Sequence, residues 1–267
     1  MENVDLKLSK AYKEHHLFKE LDEIMDFYEA VSDRAIYFLP SGTKEFYNYE
    51  SYYFMSIQGT LDSIKTLLKI ARINDAFVLV RKMFDDILTN IYLSVILKDK
   101  FDIYKGLYVE DVQRWIESSF RIPSLKKILK TLQESPQTQD LYPYFGWKTY
   151  LEHNRKFLDD CVHSNRFSRV LFNCNTVYLD DKRENQLENI SVLLNQLMTI
   201  QVSFIFYLNP VYLMASDYMD YLEFGETPPP GSDQWIAPFA QKAFDKHIKN
   251  HSKLAEFIKN NCSLQIQ

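Results

Sequence analysis

Arg155, Asp159 and His163 are the residues in this sequence whose types and spacing are best suited to chemistry. On a helix, positions four and eight residues apart share one face. Asp159 would then hydrogen-bond one nitrogen of His163, fix its tautomer and raise its basicity. The other nitrogen would be left to act as general base or acid. Ser164, Asn165 and Arg166 follow at once. Arg166 suits an anionic phosphate or a developing oxyanion, and Asn165 could orient a substrate or cap a turn. The same residues also describe an ordinary solvated helix face followed by an ordinary helix exit, and this second reading stays open.

A second constellation is Arg81 with Asp85, four apart inside the apolar run Ala76–Leu97, with Asp86 and Asn90 repeating the spacing. Phe77, Val80, Phe84 and Leu88 flank these polar groups and bring them near a core-facing surface. A buried charge is usually paired, so a structural salt bridge is one reading. The other is that Arg81 points into the same pocket as His163. Two histidine pairs, His15-His16 and His247/His251, have metal-ligating chemistry, but no second pair of spaced acidic or thiol ligands supports them. Neither a metal nor a cofactor is therefore expected. Tyr47, Tyr49, Tyr52 and Tyr53 could stack bases, yet without interleaved lysines and arginines they read as packing. Phosphate-loop, dinucleotide, zinc-protease and nucleophile-elbow motifs are missing.

These residues need elements to hold them, and the composition points to helices. The chain has 267 residues, among them 19 Phe and 18 Tyr but only 6 Gly. Sheet-rich folds spend more glycine on turns and bulges. The net charge of −5 argues against a broad basic face for nucleic acid, though not against a local basic site. Cys161, Cys174 and Cys262 form no disulfide framework and no CxxC pair. They read as reduced thiols of a cytoplasmic protein, and the opening MENVDLKLSK carries no leader pattern. Asn189–Ser216 is uncharged and long enough to cross a bilayer. Asn195, Thr199 and Ser203 lay a polar stripe along it, so a buried central helix is expected and no membrane partner.

Apolar spacing predicts helices over 12–39, 46–71, 74–97, 109–118, 123–133, 147–163, 183–208 and 233–260, with 211–222 continuing helical. Asn74 is the expected cap of the third, and the Arg72–Asn74 connection should fold it back on the second. Val170, Leu171, Phe172, Val177 and Tyr178 leave 165–181 as short strands or an irregular loop. Thr227–Gly231, with three prolines, forbids helix and suits an extended crossing. The expected fold is all-α: an antiparallel helical bundle with an irregular or short-strand insert near 165–181. The bundle domain is expected over 1–224 and the crossing over 225–231. A C-terminal helix in 232–267 should then pack on the same domain.

The run from Ala76 through Arg81, Asp85 and Asp86 to Asn90-Ile91-Tyr92-Leu93 resembles one helix of a HEPN-type bundle. Leu158-Asp159-Asp160-Cys161-Val162-His163-Ser164 resembles a later helix of that group, which carries a His near its end. The resemblance covers roughly 50–205 and points to prokaryotic proteins related to abortive-infection factors. It implies a helical bundle with an Arg/His polar pocket, and proteins of this type commonly pair as homodimers. It further implies RNA or nucleotide binding, or metal-independent ribonuclease activity. His163 would deprotonate a ribose 2′-hydroxyl, and Arg155, Arg166 or Arg81 would neutralise the phosphate. In the family an Arg precedes the His by four to six residues, whereas here Arg155 precedes His163 by eight. The alternative is a non-enzymatic interaction or regulatory protein whose polar residues are structural.

Overall fold

Apolar residues recur every three or four positions over most of the chain, and burying such a stripe favours helix over any extended alternative. A computed structural model describes residues 8–37, 42–102, 104, 108–174 and 180–267. It contains α1 (Lys10–Lys13), α2 (Leu17–Ile36), α3 (Tyr49–Lys69), α4 (Ile73–Lys100), α5 (Glu110–Ile116) and α6 (Leu125–Glu134). The next four are α7 (Trp147–Tyr150), α8 (Lys156–Val162), α9 (Phe167–Leu171) and α10 (Asp180–Leu208). The last three are α11 (Asp217–Glu223), α12 (Pro238–His247) and α13 (Ser252–Asn261). Among the described residues there is no strand; isolated bridges join Gly42 with Tyr108, Met214 with Ile236 and Trp235 with Gln265. The all-α helical bundle expected from the sequence is what the chain forms.

The chain divides into two compact units, each drawn from three separate stretches. The first comprises 1–29, 54–87 and 146–197, the second 30–53, 88–145 and 198–267. In the first unit, Leu17, Leu21, Ile24, Ile57, Leu61, Ile64, Phe77, Val80, Phe84, Leu187 and Leu194 are buried. There α3 ends in a reversal at Ala71, where the Arg72 N–H donates to Leu67 O at 2.8 Å. The chain turns back within three residues, and Lys82 Nζ reaches Thr60 Oγ1 at 3.1 Å across the α3–α4 pair.

In the second unit the buried set includes Ile91, Val95, Val112, Leu132, Phe204, Phe206, Phe244 and Ile258. The buried carboxylate of Glu50 accepts from Tyr212 Oη at 2.7 Å and from Ser94 Oγ. Asn48 in turn donates to Tyr212 Oη at 2.9 Å and accepts the Glu50 N–H at 3.0 Å. Burial pushes the Glu50 carboxyl above its ordinary value, against the pull of Ser94 and Tyr212.

Four details differ from the sequence expectation and one agrees with it. Asn74 does not cap α4. Instead Asn173 accepts from the Asn74 N–H at 3.0 Å, and Asn74 Nδ2 donates to Cys161 O at 3.1 Å. A residue 99 positions away does the capping, which local spacing cannot reveal. The helix expected over 147–163 is interrupted by a π-helical turn, Leu151–Arg155. Within 165–181, Phe167–Leu171 is a helical turn and not a strand; Val177 and Tyr178 lie outside the described residues. The helix expected over 233–260 is two helices, broken after His247 where Lys249 N–H bonds back to Phe244 O. Finally, α10 includes Lys182–Leu208, which is long and apolar enough to cross a membrane, with 72% of its most apolar stretch buried in the protein.

Candidate functional site

The charged residues singled out in the sequence meet in the first unit, on α4, α8 and the turn that follows α8. Arg81 leaves α4 from an apolar surround, with only 8% of the residue exposed. Its Nε donates to Asp159 Oδ1 at 2.8 Å, and its Nη1 ion-pairs with Asp85. Burial works against the charge, but the Asp159 and Asp85 carboxylates outweigh it and raise the Arg81 pKa above its ordinary value. The second oxygen of Asp159 faces Arg155 Nε at 3.6 Å. Asp159 is thus held between two guanidiniums, one from the π-helical turn that leads into α8 and one from α4.

The adjacent Asp160 points elsewhere. Its Oδ1 accepts from Asn165 Nδ2 at 3.1 Å and its Oδ2 from Arg166 Nε at 3.0 Å. The Asn165 amide, and after it the Arg166 guanidinium, hold the Asp160 carboxyl below the usual carboxylate range. This contact depends on a tight exit from α8. Ser164 takes a left-handed conformation with φ of 50°, and Asn165 N–H closes on Asp160 O at 3.1 Å. The chain therefore doubles back and delivers Arg166 beside α8.

His163 joins neither group. It is the C-cap of α8, where its N–H donates to Asp159 O at 3.0 Å, and its side chain is exposed. Among the described residues its ring has no hydrogen bond and no ion pair. The structure therefore brings Arg81, Asp85, Asp159 and Arg155 together, and Asp160, Asn165 and Arg166 together. It does not put His163 and Arg81 into one pocket. Cys161, one residue past Asp160, is buried, and burial pushes its thiol up to about 11, away from nucleophilic use.

The concave surface lies beside this cluster. An open pocket of about 400 Å³ is lined by His153, Lys156, Phe157, Asp160, Arg166 and Arg169. Of these, the sequence reading singled out only Arg166. Arg169 sits with its guanidinium carbon 4.1 Å from the Phe157 ring centroid, a cation–π stack. Phe157 is itself fixed edge-on against Phe77 at 5.0 Å. Arg169 Nη1 reaches Gln186 Oε1 at 3.5 Å, while its Nε is buried without a partner among the described residues. Three cations face one carboxylate here, in a chain whose net charge is −5. A signal was present in the sequence: 153–169 holds Arg155, Lys156, Arg166 and Arg169 against only Asp159 and Asp160.

Chemically, the pocket is a donor-rich receptor for an anion, with a guanidinium plane available for stacking. No family model, no curated protein and no solved structure matches this chain.

Proposed function

We propose that this chain is a HEPN-like helical protein that binds single-stranded RNA at the Lys156–Arg166–Arg169 pocket and does not cleave it. The observation that carries the reading is the convergence of three cations and Phe157 on one concavity of an acidic protein. Phosphate contacts position a strand, and single-stranded bases stack on guanidinium planes and aromatic rings. Arg169, stacked on Phe157, brings its guanidinium to the lining of the pocket. The resemblance of Ala76–Leu93 and Leu158–Ser164 to HEPN-type helices agrees with an RNA ligand. Binding without cleavage is supported by Asp159, whose two oxygens are taken by Arg81 and Arg155, and by the exposed His163. These are the interactions of a structural ion cluster.

The test is fluorescence anisotropy with an end-labelled single-stranded oligoribonucleotide at low salt, with the recovered strand run on a denaturing gel. Wild type should bind saturably and return the strand intact. The double variant Lys156→Ala/Arg169→Ala should weaken binding at least about tenfold with an unchanged helical circular dichroism spectrum. Binding that survives within about twofold in the double variant would remove this pocket as the site. Strand cleavage that disappears in His163→Ala would restore the ribonuclease mechanism.

A further inference from the structure

A second cluster in the first unit lies away from α8 and uses residues that the RNA-binding reading does not. His15 and His16 occupy the joint between α1 and α2, their rings stacked with centroids 4.3 Å apart. From α10, Glu188 comes to both: its Oε2 is 3.5 Å from His16 Nε2 and 3.8 Å from His15 Nε2. Glu20, one turn into α2, adds a carboxylate 3.8 Å from His16 Nε2. The ligand atoms of His15, His16 and Glu188 all lie within 4.8 Å of one another. Four ligands around a tetrahedral zinc at bonds of about 2.05 Å stand about 3.3 Å apart. The set is therefore within a few tenths of an ångström of closing on an ion along three of its edges.

We propose that His15, His16, Glu20 and Glu188 form a binding site for a divalent transition-metal ion of the zinc class, which fastens the α1–α2 joint to α10. Two imidazoles and two carboxylates select this class over magnesium or calcium, which take oxygen ligands. The chain elements are already joined around the site, since Ser9 Oγ donates to Glu184 Oε1 at 2.6 Å. A supporting shell is present too. Ser191 Oγ donates to Glu20 Oε2, the carboxylate oxygen turned away from His16, and Asn195 Nδ2 bonds Ser191 O at 3.0 Å. Such outer contacts orient ligating groups. In the metal-free chain His15 Nδ1 accepts the Leu17 N–H at 3.2 Å, so Nε2 carries the proton. Metal capture at Nε2 moves the remaining ring proton to Nδ1 and gives up the Leu17 bond. Carboxylate and neutral-imidazole ligation otherwise needs no oxidant or reductant.

Glu188 and His16 are each about half exposed, so an ion has a path in. The sequence shows the histidine pair, with Glu20 four residues after His16, but not Glu188, which is more than 170 residues away.

The experiment uses the full chain, freed of any affinity tag and stripped with chelator, and titrates it with Zn²⁺ by calorimetry. One saturable site per chain and a higher melting temperature on loading are expected. Glu188→Gln and His16→Gln should each weaken Zn²⁺ binding at least about tenfold and Ser191→Ala about tenfold. The exposed His251→Gln should leave it unchanged. Glu188→Gln keeps the test valid if His16→Gln fails to fold, since its carboxylate projects from an exposed face of α10. The proposal is overturned if the wild-type chain takes up no Zn²⁺ in the micromolar range, or if uptake persists undiminished in Glu188→Gln. Neither result touches the oligoribonucleotide measurement, because no ligand of this site lines the RNA pocket.

Discussion

Asp159 and Asp160 show how far a residue's role depends on partners the sequence places out of reach. The two are neighbours in α8, yet one clamps Arg81 and Arg155 while the other holds Asn165 and Arg166. The i, i+4 relation of Arg155 to Asp159 was legible from spacing alone, and so was Arg81 with Asp85. The Arg81–Asp159 bond joins residues 78 apart, and on the proposal of binding without cleavage it is this bond that makes Asp159 structural. Asp159→Asn leaves the nearly buried Arg81 with Asp85 as its one carboxylate. Losing a charge-assisted bond to a group of this burial costs about 1–2 kcal/mol, toward the low end because Asp159 itself is partly exposed. Urea denaturation should read that loss, while oligoribonucleotide affinity stays within about twofold, because Asp159 does not line the pocket. A carboxylate that oriented a catalytic imidazole would behave in the opposite way, silent in stability and costly in activity.

Helix ends carry the next level of information. Among the described residues, three other than glycine adopt positive φ: Ala71, Ser118 and Ser164. Each terminates a helix with the same reversal, in which the following N–H reaches back five residues: Arg72 to Leu67, Ser119 to Arg114 and Asn165 to Asp160. Gly225 makes the same turn with the residue type it favours, as Glu226 N–H closes on Tyr221 O. The scarcity of glycine that argued for helices thus also hid their ends. Long helices were legible because their apolar spacing runs over five or more turns, as in α2, α3, α4 and α10. The π-turn at Leu151–Arg155 and the break after His247 contain neither Gly nor Pro, and their polar runs, 152–155 and 249–253, are short enough to read as the solvated side of a continuing helix. The cap supplied by Asn173 to α4 was invisible for the reason that hides Arg81–Asp159: it is a contact across the chain. Ser164→Gly isolates the cost of the reversal at the exit of α8. Ser164 is exposed and its side chain makes no bond among those of the described residues, so the substitution removes left-handed strain and little else. A net gain of about 0.5–1 kcal/mol is expected, read as a higher denaturation midpoint at unchanged slope. A loss would mean that Ser164 holds the turn through its hydroxyl.

At the scale of the molecule, the question is how an acidic chain would hold a polyanion. Its 36 acidic residues outnumber 31 lysines and arginines, so long-range attraction does not gather RNA, and binding has to come from a few local contacts. The pocket offers Lys156 and Arg169 without a carboxylate partner among the described residues, whereas Arg166 already shares its guanidinium with Asp160 at 3.0 Å. Counterion release sets the dependence of affinity on salt at about −0.7 in log–log slope for each phosphate neutralised on a single strand. Two contacts give a slope of about −1.4, and three give about −2.1 if the strand draws Arg166 away from Asp160. Anisotropy titrations across a series of sodium chloride concentrations should therefore fall between these values. Asp160→Asn, which frees Arg166, should move the slope toward the steeper one and tighten binding at low salt. A slope near zero would mean that stacking alone holds the strand. A slope much steeper than about −3 would mean a basic surface broader than the pocket. Either result would detach RNA binding from Lys156, Arg166 and Arg169, the three residues on which the reading rests.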